Sequence, residues 1–258
     1  DMWVGACFFM QCFKVFKKQQ LVVRMMKKLL VCIIFASLAL NTGGAIAGKD
    51  IGYGGGKGRG DATPSALDAT EASHLTFMRE EEKLARDVYL TLADFYPNQK
   101  VFSRIASRSE QTHTDTMRDK LDQFNLPDPN PKTNNLPSSL GVFTGDEWGW
   151  YFEEKYALLT AKGKVSELDA LYVGAFIEEL DMYDIAVCPQ VMIDRGFSSP
   201  CGLEYTDEDA LKTAYRALIS GSESHLRAYV GQIEAVIGVG NYEAQYLQQS
   251  EVDAILGR

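Results

Sequence analysis

Between residues 75 and 92, apolar positions recur at alternating steps of three and four: Leu75, Met78, Ala85, Tyr89 and Leu92, with Glu82 standing in the same stripe. That period predicts a helix with one face in a core. Residues 99–124 repeat it with Val101, Phe102, Ile105, Ala106, Ser109, His113, Met117 and Leu121 inward and Glu110 adjoining. Residues 146–160 form a shorter amphipathic helix with Trp148, Tyr151, Phe152, Tyr156 and Leu159 apolar. Ser166-Glu167-Leu168-Asp169 is a capping signature that opens a helix running through Ile185. Thr206-Asp207-Glu208-Asp209 opens another, acids at its positive end, that carries Tyr215, Leu218, Ile219, Ser222, His225, Leu226, Tyr229, Ile233 and Val236. Ser250 caps a short last helix ending near Leu256. The segment Pro127-Asp128-Pro129-Asn130-Pro131, continuing to Pro137, cannot extend a helix and reads as a long crossover connection. The expected class is all-α: four long helices, a crossover and a short extra helix.

Polar residues inside the stripes are the candidate chemistry. A Glu where a Leu would serve costs free energy unless it is paired or binds a cation. Glu82 is such a residue; the alternative partner is an arginine such as Arg108 or Arg104, while Glu80, Glu81 and Lys83 fall beside the stripe and are expected in solvent. Glu110 and His113 are three residues apart, so their side chains leave one helix face together. Glu178 and Asp181 do the same on the next long helix, with Glu179 on the neighbouring face as the other candidate. His225 points inward on the last one, where a single histidine is more often a hydrogen-bonded core residue than a ligand. His74, at the start of the first helix, is expected at the surface or in a cap. Four helices aiming carboxylates and imidazoles at one point would make a metal site in the core of a bundle.

The ends of the chain are a different kind of sequence. Met25-Met26-Lys27-Lys28, the apolar run from Leu29 to Leu40 and Ala45-Ile46-Ala47 have the order of a secretory signal peptide, with cleavage near Ala47; a retained membrane anchor is the alternative. The apolar run is short beside the ~20 residues a membrane span needs. The expected division is a leader of unclear origin (1–24), the signal peptide (25–47), a Gly-rich linker (48–69), the helical domain (70–240) and a C-terminal short helix (241–258). Gly54-Gly55-Gly56-Lys57-Gly58 is no phosphate loop, because no buried strand precedes it and no Gly-Lys-Ser/Thr follows. The whole chain holds 26 basic and 35 acidic residues, and six of the basic ones but only Asp1 of the acidic lie in residues 1–47. What remains, 20 against 34, is a formal −14. So acidic a domain is not built for nucleic acid or an anionic membrane, which meet phosphate with basic surface. Cys188 and Cys201, the cysteines left after processing, are expected to pair as a disulfide in an exported chain.

Taken in order, Glu82-x-x-Ala85-x-x-x-Tyr89, Glu110-x-x-His113, Glu178-x-x-Asp181 and an inward His225 are similar to the ligand order of ferritin-like di-iron carboxylate proteins such as rubrerythrin. More closely, residues 80–89, 174–181 and 221–227 resemble the signature segments of the ferritin-like family called domain of unknown function 2202, over roughly residues 71–237. The resemblance implies a ferritin-like four-helix bundle. It also implies a centre of two iron ions, with manganese or zinc as substitutes, in which Glu82 and His113 bind one ion, Glu178 and His225 the other, Glu110 bridges and Asp181 completes or bridges. Tyr89 would be the catalytic neighbour, as a hydrogen-bond donor or a quencher of radicals. The implied partners are oxygen or peroxide and an external electron donor, with a homodimer as a possible assembly and a periplasmic or secreted location. One position departs from the pattern: Ser222 stands where the fourth helix should supply a second Glu-x-x-His, which bears on whether two ions bind. The other functional class consistent with the chain is an exported helical bundle that is not catalytic and acts as a metal-binding or protein-interaction module.

Overall fold

Asp68 opens the first helix: its side chain accepts from the Glu71 backbone N–H, and Glu71 Oε2 accepts in turn from the Asp68 N–H, so two free helix donors are satisfied reciprocally. A computed structural model of the chain describes residues 67–258, and the expected leader, the signal peptide and all but the last residues of the linker lie outside the described residues. From Asp68, α1 (Ala69–Phe95) runs for 27 residues. After it comes one continuous helical run made of α2 (Lys100–Arg104), a π-helical turn (Ile105–Glu110) and α3 (Gln111–Gln123). Then follow α4 (Gly149–Gly163), α5 (Glu167–Ala186), the short α6 (Gln190–Asp194), α7 (Asp209–Ile237) and α8 (Gln249–Leu256). The described residues are all-α, with no strand among them. None of their helices is long and apolar enough to cross a membrane.

α5 and α7 pack along each other, α1 meets the π-turn, α3, α4 and α5, and α3 touches α7. The apolar stripes read from the sequence fill the space between them: Leu75, Met78, Val88 and Leu92 of α1, Phe102, Met117 and Leu121 of the second run, Val173 and Ile185 of α5, and Leu218, Leu226 and Ile233 of α7 are all buried. Each such side chain contributes about 1.5–3 kcal/mol on leaving water. Gly174 lets α5 and α7 approach closely, since a Cβ there would lie 2.4 Å from the Tyr229 ring.

Several expectations change. Glu80, Glu81 and Lys83 are buried rather than solvated, together with Arg79, Arg86 and Asp87. For all but Glu81, which lies against Asp184 of α5, the reason is the segment between α3 and α4, which covers this face of α1. Arg79 reaches Asp128 through two bonds of 3.0 Å; Lys83 pairs with Asp87 and donates to Ser139 O at 2.9 Å; Arg86 donates to Asp87 Oδ1 at 2.7 Å and to Thr133 O at 3.1 Å. Asp87 Oδ2 also accepts from the Gly141 N–H, and Glu80 Oε1 accepts from Asn130. Such buried charges fix the crossover on the helix. His74 is buried as well, its Nδ1 2.9 Å from Tyr215 Oη and its Nε2 3.0 Å from Asp184 O, and burial lowers its imidazole to about 4. α4 begins at Gly149, later than Asp146, with Trp148 buried ahead of it. α7 is capped by Glu208 while Thr206 donates to Glu71, and Gln248 rather than Ser250 caps α8. Cys188 and Cys201 are joined by a disulfide, and α6 occupies part of the loop it closes. For 13 residues of separation, loop-closure entropy gives about 3 kcal/mol of stabilisation.

Candidate metal centre

Four helical stretches bring the predicted residues to one place. Glu82 comes from the middle of α1, Glu110 and His113 from the join of the π-turn and α3, Glu178 and Asp181 from α5, and Ser222 and His225 from α7. The π-turn matters to this convergence. An α-helix continued without it would keep the stripe of Ala106, Ser109 and His113 inward, whereas the wider i→i−5 turn leaves Ser109 half-exposed and buries Glu110. Arg104 and Arg108, the alternative partners of Glu82, are exposed.

Glu110 is the centre of the geometry. Its Oε2 lies 3.2 Å from His113 Nδ1 and its Oε1 2.8 Å from His225 Nδ1. His113 Nδ1 is also 3.3 Å from Glu82 Oε2, and His225 Nδ1 is 3.2 Å from Glu178 Oε2. Two donor groups result, Glu82–Glu110–His113 and Glu110–Glu178–His225, each with one atom per residue inside 4.8 Å of the others, a spacing that could hold a metal ion. The imidazole rings stand 5.5 Å apart. All the carboxylates are buried, Glu82 at 1% exposure and Glu110 and Glu178 at 2%, and His113 is the least covered at 8%.

Asp181 stands beside these groups without belonging to either. Its Oδ2 accepts from Ser222 Oγ at 2.6 Å, and its Oδ1 is buried without a hydrogen-bond partner, as is Glu82 Oε1. Tyr89 donates to Glu178 Oε1 at 2.6 Å. Glu178 rather than Glu179 therefore faces the centre. Glu179 points the other way, accepting from Tyr242 Oη and from the backbone N–H groups of Gln245, Tyr246 and Leu247, and so ties the segment before α8 to α5.

The electrostatics follow from acids and imidazoles enclosed without a lysine or arginine. Burial raises the Glu82 carboxyl to about 7 against the attraction of His113. Burial also works against Glu110 as an anion, but His113 and His225 together hold its proton off and put it well below the usual carboxylate range. For the imidazoles burial disfavours the charge, and the carboxylates outweigh it: Glu110 and Glu82 raise His113 to about 12, Glu178 and Glu110 raise His225 to about 10. Burial raises Glu178, and burial followed by the charge of Glu82 raises Asp181. In this form the centre is neutralised by protons, and a cation would take their place.

The sequence reading missed a neighbouring pair. Glu81 and Asp184 hydrogen-bond as buried carboxyls, and burial pushes Asp184 to about 8. Asp184 follows Asp181 by three residues, which was the available signal. Ser222 was read as a missing ligand; the structure uses it to hold Asp181.

Residues 71–258 match the family model described as uncharacterized protein domain DUF2202. The chain belongs to that family. A relative, the uncharacterized protein MJ0754 of Methanocaldococcus jannaschii, is 40% identical over 190 residues, covering 74% of this chain and 88% of the relative. The crystal structure of hypothetical protein MJ0754 superposes with a TM-score of 0.60 at 38% identity, over 74% of this chain and 94% of that one. The DUF2202 match spans all four stretches that supply the centre.

Proposed function

We propose that this chain is an exported ferritin-like four-helix bundle protein holding two iron or manganese ions in a carboxylate centre, and that it reduces oxygen or peroxide or oxidises ferrous iron. The observation that carries the reading is Glu110, one buried carboxylate whose two oxygens each belong to a different donor group. A carboxylate so placed can bridge two cations. The remaining donors fit the same ions: oxygen and imidazole nitrogen are hard or intermediate ligands that suit iron and manganese. The free oxygens of Glu82 and Asp181 supply further coordination, and a buried oxygen without a partner is costly unless something fills that role.

Two such ions would supply redox and Lewis-acid chemistry toward oxygen or peroxide. The chain's own residues do the rest. Glu82 and His113 would hold one ion, Glu178 and His225 the other, with Glu110 between them and Asp181 completing the set. Tyr89 fixes the orientation of Glu178 through its 2.6 Å bond. Near-complete burial excludes bulk water and limits access to small molecules. Both cysteines of the described residues are joined in a disulfide, so electrons would come from an external donor. That disulfide also supports an oxidising compartment, as the basic, apolar and Ala-x-Ala order of residues 25–47 does.

Elemental analysis after anaerobic iron(II) loading tests the reading. About two ions per chain are expected, with a near-ultraviolet absorption that grows on admitting oxygen. A chain that folds but takes up no metal would leave a helical scaffold, and the interaction-module reading would replace this one.

A further inference from the structure

His113 rests against α7 at Gly221. A Cβ built on Gly221 would lie 2.5 Å from His113 Cε1 and 2.6 Å from its Nε2, so nothing larger than hydrogen fits between the helix and the ring. Gly221 is inside a 29-residue helix, far from both ends, where glycine is about 1 kcal/mol worse than alanine. Its backbone does not use the left-handed region open to glycine. What the position uses is the absence of a side chain.

The next residue acts on the same part of the centre. Ser222 Oγ lies 2.6 Å from Asp181 Oδ2 and 3.1 Å from Leu218 O, and its bond to Oδ2 leaves Asp181 Oδ1 buried and unpartnered. Adjacent residues of α7 thus meet an imidazole and a carboxylate of the candidate centre.

We infer that Gly221 and Ser222 are positioning residues for the metal centre: Gly221 admits the His113 ring with Nδ1 toward Glu82 and Glu110, and Ser222 holds one oxygen of Asp181 so that the other is free for a cation. This rests on the two-metal reading above. A methyl group at 221 must push the His113 ring aside, and the ring's Nδ1 is the atom held 3.3 Å from Glu82 and 3.2 Å from Glu110. The position expected to carry a glutamate is instead spent on orienting Asp181, so the fourth carboxylate reaches the centre from α5.

Cobalt(II) is the probe, with ions counted by elemental analysis and coordination followed by visible absorption in the full chain. The wild type is expected to take about two ions and Gly221→Ala about one. In metal-free protein Gly221→Ala should melt at or above the wild-type temperature, because alanine is the better helix former. Adding His113→Ala to Gly221→Ala should change nothing further, whereas adding His225→Ala should remove the remaining ion. Ser222→Ala should weaken metal binding by about 10–100-fold, and Ser222→Thr, which keeps the hydroxyl, should restore it. Two ions bound to Gly221→Ala at wild-type affinity would overturn the inference and leave the two-metal reading standing. Loss of both ions with a lowered metal-free melting temperature would also overturn it, as a general fold defect. A wild type that binds no ion would end both.

Discussion

Two buried polar regions lie on α1 within one helical turn of each other and are neutralised in opposite ways. On the face under the crossover, Arg79 meets Asp128, and Lys83 and Arg86 meet Asp87, so each cation has a carboxylate supplied by the chain. On the other face, Glu82 and Glu110 meet His113, and Glu110 and Glu178 meet His225, with no lysine or arginine in either donor group. The depth is the same and the helix is the same; the source of positive charge differs. The first region brings its own and serves as structure. The second has only protons to offer, which a metal ion can displace, and that difference is what marks it as a candidate metal site.

The comparison breaks most sharply at the shared carboxylate. Glu110→Ala removes a donor from both groups and should empty the centre of metal, measured as ions per chain after loading, while Glu82→Ala should lose only the ion on the His113 side. Retention of both ions by Glu110→Ala would show that it does not bridge. In the first region the corresponding change is Asp87→Ala, which leaves Lys83 and Arg86 buried without their carboxylate. The expected loss is about 3–5 kcal/mol in denaturant unfolding of the metal-free protein, the scale of an orphaned buried charge. Metal stoichiometry of the folded fraction should be unchanged. A loss below 1 kcal/mol, on the order of an exposed pair, would mean that water reaches the network.

The pH dependence should also separate the two neutralising devices. Burial raises Asp184 to about 8 and Glu80 to about 7, both well above their ordinary values. A carboxyl raised in the folded state binds its proton more tightly there than in the unfolded chain. Its contribution is complete below the unfolded value and is lost as pH rises through the folded one. Metal-free protein should therefore lose stability between about pH 4 and pH 8. Metal-loaded protein should lose less or gain over the same range, because ligand protons must leave before a cation binds. Urea midpoints of chelated and loaded samples at each end check this, and parallel curves would contradict displacement of protons by metal.

How much of this was legible depends on what spacing can encode. Glu82 stood out because a carboxylate interrupts an otherwise apolar stripe, and Glu110 and His113 because three residues on a helix share a face. The same local period put Glu80, Glu81 and Lys83 in solvent, since nothing in it reports that a segment fifty residues later folds over Glu80 and Lys83 or that Asp184 of α5 meets Glu81. It put Ser109 inward because hydrogen bonding from i to i−5 changes the register without changing the residues. His74 failed in the same manner: its partners, Tyr215 and Asp184, come from helices distant in sequence. Ser222 was read by comparison with an expected glutamate, and its bond to Asp181 is visible only once α5 and α7 lie side by side.

The smallest expected effect is also the one that reaches from the centre into the apolar core. Tyr89 is fully buried, donates to Glu178 Oε1, and packs its ring 5.3 Å from that of Tyr229. Tyr89→Phe keeps the ring and its packing and removes the hydroxyl alone. Glu178 then has one orienting bond fewer, so affinity for the ion on the His225 side should fall about 10-fold while the His113 ion is unaffected, read by competition with a chelator of known affinity. Glu82 gains no hydroxyl donor of this kind, and its free oxygen is matched by that of Asp181 instead. An equal fall at both ions would mean that Tyr89 acts on the centre as a whole through Glu110, and the two halves would then be less independent than their separate imidazoles imply.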